Sequence, residues 1–314
     1  MTYILPLLLK IIYISGVKFG YDLLSHLLKN RKSISLIISY EDQKKKNYSD
    51  FADFKVISKK YDILHKQVDR INDPKNIELI RSLQPDLIFV MGWSQLLSDE
   101  IIKIPKIGII GSHPTELPKY RGRAPIPWTI LKNLKRSALT FFWINPGTDE
   151  GPIENQKFFE INNKDDASDI YEKITDIGKD MLLEDLTSIE NGQIKKIPQD
   201  ETKFIENWPK RKPEDGKINW SKSSHEIYTL IRASTYPYPG AFTYFNKKKI
   251  KIWKAKISDD KSSGIGKIME IKDNEIKVGT GDTSIILKKL TSDIDNLEKS
   301  KNIFLSTNIG DTLN

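Results

Sequence analysis

For the first two-thirds of this chain, apolar residues alternate between short continuous runs and stripes at helical spacing. Lys10–Ser15 reads as a buried strand, and Phe19, Leu23, Leu24, Leu27 and Leu28 then recur on one helix face. Ser35–Ser39 is apolar again, and the polar stretch Asp42–Asp50 follows it. Asp73-Pro74 opens a helix bearing Ile77, Ile80 and Leu83, because proline's fixed φ suits a first helical turn. Asp86–Met91, Lys106–Ser112 and Ala138–Ile144 are short apolar runs fit for parallel strands covered on both faces. Ile170, Ile174, Ile177, Met181, Leu182, Leu186 and Ile189 trace one long helix, stopped by Asn191-Gly192. This alternation predicts an α/β fold, a parallel sheet flanked by helices.

The pattern changes after Trp208. Pro209, Pro213, Pro237 and Pro239 mark a linker and tight turns. Gly266–Ile271, Glu275–Gly279 and Ser284–Leu290 then read as strands joined by turns at Asp273-Asn274 and Gly281-Asp282. The expected division is residues 1–206 as one domain and 207–314 as a linker and small β-rich domain. Asp293–Asn314 suggests no element. Ile4–Val17 is mostly apolar, but Lys10 interrupts it and it falls short of the ~20 residues that span a bilayer. With no basic leader before it and no small-residue cleavage site after it, the expectation is a soluble cytoplasmic protein.

Composition narrows the chemistry. None of the 314 residues is cysteine, which excludes a disulfide scaffold, a thiol nucleophile and thiolate-bound metal. The net charge of +8 comes from 42 lysines and only 8 arginines. Arginine is the side chain suited to bidentate phosphate and base recognition, so this ratio reads as lysine-rich surface with attraction for small anions, not a nucleic-acid interface. Of four histidines, His26, His65 and His225 lie in helical or polar surroundings, and no two have metal-ligand spacing. No metal is expected.

His113 differs. It ends the apolar run Ile109-Ile110-Gly111-Ser112, and Pro114 holds it extended. Open parallel sheets bind ligands beyond the carboxyl ends of their strands, where a general base belongs. A loop dense in special residues follows, from Thr115 to Trp128. Asp149, in Asn145-Pro146-Gly147-Thr148-Asp149-Glu150-Gly151, follows the next strand and reads either as a turn residue or as a carboxylate orienting an imidazole. Spacing leaves both readings open.

Ser112–Trp128, with His113, Leu117, Pro118, Tyr120, Arg121, Gly122, Pro125 and Ile126, resembles the signature loop of the 10-formyltetrahydrofolate-dependent formyltransferases. Asp149 and Gly151 match the family's Asp-x-Gly. The likeness continues through Arg211–Trp220, Ile231-Arg232-Ala233, Pro237–Phe242 and Ile252–Ala255, so it covers roughly residues 10 to 290.

The resemblance implies a Rossmann-like N-terminal domain binding folate and amine, a smaller OB-like C-terminal domain, and 10-formyltetrahydrofolate as co-substrate without metal. It assigns His113 as the base that deprotonates the attacking amine, and Asp149 as the carboxylate that orients it. The family's catalytic Asn lies two residues before the His, where this chain has Gly111. Strand alternation puts Gly111 and His113 on one face and Ser112 on the other. Losing an oxyanion donor typically costs on the order of 100- to 1,000-fold in turnover. Protonated His113, a backbone N–H at Gly111 or a water are the candidate replacements; the alternative is a catalytically impaired binding homologue. Met91, Trp93 and Leu97 are the expected pterin contacts, with Gly147 and Asp149 from the later loop.

Methionyl-tRNA enzymes of the family carry a basic loop with arginine and glycine after the second strand. Tyr40–Asp50 has three lysines, no arginine and no glycine. The loops Arg121–Pro125 and Pro237–Phe242 are more similar to those of enzymes that formylate nucleotide-linked amino sugars. The expectation is a sugar N-formyltransferase, with Lys119, Tyr120, Arg121 and Arg123 as substrate contacts. Methionyl-tRNA formylation is the alternative; glycinamide-ribonucleotide enzymes resemble only the core. The expected partner is a nucleotide-linked amino sugar, with no nucleic acid and no membrane, and a homodimer is compatible with the resemblance.

Overall fold

The computed structural model describes residues 9–273, 275–292 and 307–314. Residues 4–8 of the apolar leader, Asn274 of the expected turn and residues 293–306 lie outside these. The chain separates into two compact units: residues through 125, 135–161 and 171–209 form one, and 126–134, 162–170 and 210–314 the other. Among the described residues, no helix is long and apolar enough to cross a membrane.

The first unit is built on a seven-stranded sheet. Its strands are β1 (Ile11–Ile14), β2 (Leu36–Tyr40), β3 (Leu64–Val68), β4 (Leu87–Val90), β5 (Gly108–His113), β7 (Arg136–Trp143) and β8 (Ile153–Glu160), in the order β3-β2-β1-β4-β5-β7-β8. The first five run parallel. Between them lie α1 (Lys18–Lys29), α2 (Phe54–Tyr61), α3 (Pro74–Ser82) and α4 (Asp99–Ile102). Central strands are apolar on both faces because both are covered. On one face Ile12, Ile14, Leu36, Ile88, Val90 and Ile109 pack with Ile77, Ile80 and Ile101 of α3 and α4. On the other, Tyr13 meets Phe89, and Gly178 of α6 (Ala167–Glu190) lies against Leu139 and Leu23. Each buried Ile or Leu contributes roughly 1.5–3 kcal/mol by leaving water.

Two features differ from expectation. The Ala138–Ile144 run, read as parallel, is antiparallel to β5, with Thr140 opposite His113 and Trp143 opposite Ile110. An apolar run carries no information about direction; the connection through the short helix α5 (Pro125–Leu131) sets it. Strands β3 and β8 escaped the reading because they are edges of mixed polarity. The polar stretch after β2 is tied to its neighbours. Residues 42–47 form a 3-10 helix, Lys44 pairs with Asp69 at 2.6 Å, and Asp42 binds Lys55 and Gln67. Tyr48 stacks on Tyr40 at 4.6 Å, and its hydroxyl meets Ser94 Oγ at 2.6 Å.

A small two-stranded ladder belongs to the first unit: β6 (Tyr120–Gly122) pairs in parallel with β9 (Glu206–Trp208). The second unit carries α7 (Ser224–Ser234) and a five-stranded antiparallel sheet. Its strands β10 (Ala241–Phe245), β11 (Lys248–Ser258), β12 (Ile268–Lys272), β13 (Glu275–Gly279) and β14 (Ser284–Ser292) lie in the order β10-β11-β14-β13-β12. Its core joins Ile227 and Ile231 of α7 to Ile250, Ile252, Val278 and Leu287. α7 starts at a capping box of Ser223 and Glu226, and the Asp282 carboxylate accepts the Ser224 N–H at 2.8 Å.

Candidate active site

His113 is the last residue of β5, in the interior of the sheet, and is almost fully buried. Its Nε2 lies 3.2 Å from the Tyr120 carbonyl, which also accepts from Thr115 Oγ1 at 2.5 Å. A carbonyl only accepts, so this contact requires the hydrogen on Nε2 and leaves Nδ1 as the basic nitrogen. Thr140 Oγ1 donates to the Thr115 carbonyl at 2.6 Å, and Gln156 Nε2 donates to Thr140 Oγ1 and the Leu117 carbonyl. These bonds tie the turn after His113 to β7 and β8.

Asp149 closes the pair. Its Oδ2 stands 3.6 Å from His113 Nδ1 and accepts the Gly122 N–H at 3.0 Å. Gly122 fits here because it takes φ +103° and packs so tightly on β9 that a Cβ would sit 2.4 Å from the Trp208 carbonyl oxygen. Asp149 itself holds a left-handed φ of +57°. A proton accepted at Nδ1 would lie beside this carboxylate.

Gly111 shares the His113 face, as alternation predicts, but the space beside it is filled. A Cβ there would lie 3.0 Å from Ile144 Cδ1 and 3.4 Å from the Phe142 ring. Its backbone stands in the ladder opposite Val90 and Phe142. Trp93, Leu97 and Ile144 are half-buried against the cluster that includes Ile109, on this same face. Trp93 stacks on Tyr40 at 3.8 Å. Among the described residues, Trp93 Nε1 and, separately, Asn145 Oδ1 are buried without a hydrogen-bond partner. Met91 is fully buried just beyond β4 and is outside that cluster. Gly147 lies in the Asp149 loop, close to Glu150.

The four expected substrate contacts separate. Lys119 pairs with Glu116 at 2.8 Å, and Tyr120 stacks on Trp208 at 4.7 Å. Arg121 is buried: its Nη1 and Nη2 reach the two Glu201 oxygens at 3.1 and 2.5 Å, and Nη2 also reaches Gln199 Oε1 at 2.8 Å. Arg123 is exposed, and its guanidinium makes no ion pair among the described residues. The sequence reading missed Thr115, Thr140, Gln156, Gln199 and Glu201. Only distant contacts reveal them, and no local motif marks them. Among the described residues, no group of three or more His, Cys, Asp or Glu side chains is arranged to hold a metal.

An imidazole with its hydrogen on Nε2 and a carboxylate beside Nδ1 have the geometry of a general base and its partner, and the apolar wall lies on the same sheet face. Residues 9–186 match the family model described as formyl transferase, and 210–305 the one described as formyl transferase, C-terminal domain. The chain belongs to this family and is a formyltransferase. It is 32% identical to the methionyl-tRNA formyltransferase of Thermodesulfovibrio yellowstonii over 86% of this chain and 87% of that one. HypX from Aquifex aeolicus, solved with tetrahydrofolic acid, shares the fold at TM-score 0.68 and 18% identity over 91% of this chain; the match spans 44% of HypX. The N-formyltransferase of Helicobacter canadensis, solved with folinic acid and dTDP-3-aminofucose, matches at TM-score 0.66 and 21% identity, over 90% of this chain and all of that one.

Proposed function

We propose that this enzyme transfers the formyl group of 10-formyltetrahydrofolate to the amine of a nucleotide-linked deoxyamino sugar. When bound, the folate supplies an activated formyl carbon. Trp93, Leu97 and Ile144 offer a half-buried wall for a flat pterin, and Trp93 Nε1, without a partner among the described residues, suits a ring that accepts hydrogen bonds. As the amine attacks the formyl carbon, His113 Nδ1 takes its proton beside Asp149; the bond from that carbon to folate N10 then breaks, and the proton passes to the departing nitrogen, releasing tetrahydrofolate. The exposed Arg123 is the cation left for a pyrophosphate, since Arg121 is engaged by Glu201 and Lys119 by Glu116.

The observation that carries the sugar reading is the segment after β2. A loop that wedges into an RNA acceptor stem has to project and be basic, but here Lys44 is paired with Asp69 and Tyr48 is stacked on Tyr40. The tRNA reading is favoured by the 32% identity to a methionyl-tRNA formyltransferase over most of both chains. Tetrahydrofolate release by the full chain, assayed with dTDP- and UDP-linked amino sugars and with methionyl-tRNA, separates them. Turnover with an amino sugar alone is expected. Formylation of methionyl-tRNA with a steep salt dependence would overturn the sugar reading, because neutralising several phosphates produces that slope. No release with any acceptor would mark an impaired homologue.

A further inference from the structure

The ladder register poses a problem for the catalytic pair. β7 runs antiparallel to β5, so Trp143 at its end lies opposite Ile110, three residues before His113 and about 10 Å away along the strand. The five residues Ile144–Thr148 must bring Asp149 back toward His113, and Asp149 arrives in a left-handed conformation.

We propose that Gln199 is the positioning residue that holds this returning turn, within a relay completed by Arg121 and Glu201. The proposal rests on the reading of His113 and Asp149 as the working pair. Gln199 Nε2 donates to the Asp149 carbonyl at 2.7 Å and to the Gly151 carbonyl at 2.8 Å, so one amide nitrogen staples both sides of Glu150. Its Oε1 accepts from Arg121 Nη2 at 2.8 Å. Guanidinium only donates and carbonyls only accept, so these partners permit one orientation of the amide. Glu201 in turn holds Arg121 through the two terminal guanidinium nitrogens, Nη1 and Nη2, and the Phe204 ring lies 5.4 Å from that guanidinium.

Three consecutive residues of β6 thereby serve the pair. The Tyr120 carbonyl fixes the ring of His113, the Arg121 side chain fixes Gln199 and through it the backbone of Asp149, and the Gly122 N–H binds the Asp149 carboxylate. Gln199 is too far along the chain to act locally and touches no reacting group in this arrangement; it works through Asp149.

The test needs no acceptor. In the full ligand-free chain, the Gly122 amide resonance reports its bond to the Asp149 carboxylate. Gln199→Met keeps the bulk and removes both donor protons; Gln199→Glu keeps an acceptor for Arg121 but cannot donate to the two carbonyls. Both variants are expected to move the Gly122 amide upfield, in the direction given by Asp149→Asn. Adding Gln199→Met to Asp149→Asn is expected to move it no further. A Gly122 amide unchanged in a folded Gln199→Glu protein, or equal shifts with and without the Asp149 carboxylate, would overturn the proposal. With 10-formyltetrahydrofolate and dTDP-3-aminofucose as probes, kcat is expected to fall about 10- to 100-fold with both KM values held within about threefold. Displacement of the amide with undiminished kcat would leave Gln199 as the positioning residue and remove Asp149 from the catalytic reading.

Discussion

The bond from His113 Nε2 to the Tyr120 carbonyl, 3.2 Å long, leaves Nδ1 as the ring nitrogen that faces Asp149. With the Nε2 hydrogen held by that carbonyl, Nδ1 is the nitrogen left to accept a proton in the proposed reaction, and it stands 3.6 Å from the Asp149 carboxylate. His113→Asn is therefore expected to lower kcat by about 100- to 10,000-fold with folate affinity retained. Asp149→Asn is expected to lower it by a smaller factor. Steady-state turnover and a folate titration check both, and near-normal turnover in His113→Asn would remove the ring from the mechanism.

Gly111 and Ile144 share one volume. Gly111→Asn alone forces its side chain onto Ile144 Cδ1, 3.0 Å from the new Cβ, and overpacking of this kind costs about 1–3 kcal/mol. The single variant is expected to melt lower and turn over more slowly. Gly111→Asn with Ile144→Ala is expected to recover the melting temperature and match or exceed wild-type turnover, because the amide then has room beside His113. If the single variant already equals wild type in both measurements, Ile144 does not fill that niche.

Asp185 of α6 is buried with Oδ1 bound to Asn155 at 2.7 Å and Oδ2 without a partner among the described residues. Burial, reinforced by the nearby charge of Glu154, pushes its carboxyl up to about 7. The folded state thus keeps a proton that the unfolded chain releases near pH 4, so stability falls as pH rises from about 4 to about 7 and then levels. The fall is on the order of 4 kcal/mol. Asp185→Asn is expected to flatten this slope and to be more stable than wild type at pH 8. Urea unfolding at pH 5, 7 and 8 measures it, and parallel curves for the two proteins would refute it.

Asp282 has the opposite sign. The N–H groups of Ser224 and Thr283 hold its carboxyl down at about 2. That stabilisation is present above pH 4 and is lost as pH falls toward 2. Asp282→Asn is expected to remove this acid-side loss and to lower the melting temperature at pH 7, where the charged cap at the start of α7 is missing. Thermal melts at pH 7 and pH 3 read both effects; an unchanged melt at pH 7 would contradict the capping role.

The centre of the fold was legible because β1, β4 and β5 are apolar on every position that the sheet and its two helical layers cover. Edges were not. β3 buries only Val68 fully, and β8 mixes Glu154, Asn155 and Gln156 with two phenylalanines, so neither displays a continuous run or a clean alternation. His113 stood out as a polar residue closing an apolar strand. Arg121 looked like a ligand contact from its loop, but its fate depends on Glu201, 80 residues away. Gln199 meets Asp149 across 50 residues, a separation at which local pattern carries no signal.

The placement of β9 has a consequence for biosynthesis. A nascent chain that has emerged only as far as the end of α6 already contains the histidine and the aspartate, yet lacks the glutamine, the glutamate and the tryptophan strand that lock β6 around them. The β9 side of this support can form only after residue 208 leaves the ribosome, so a shorter translation product carries the proposed pair without it.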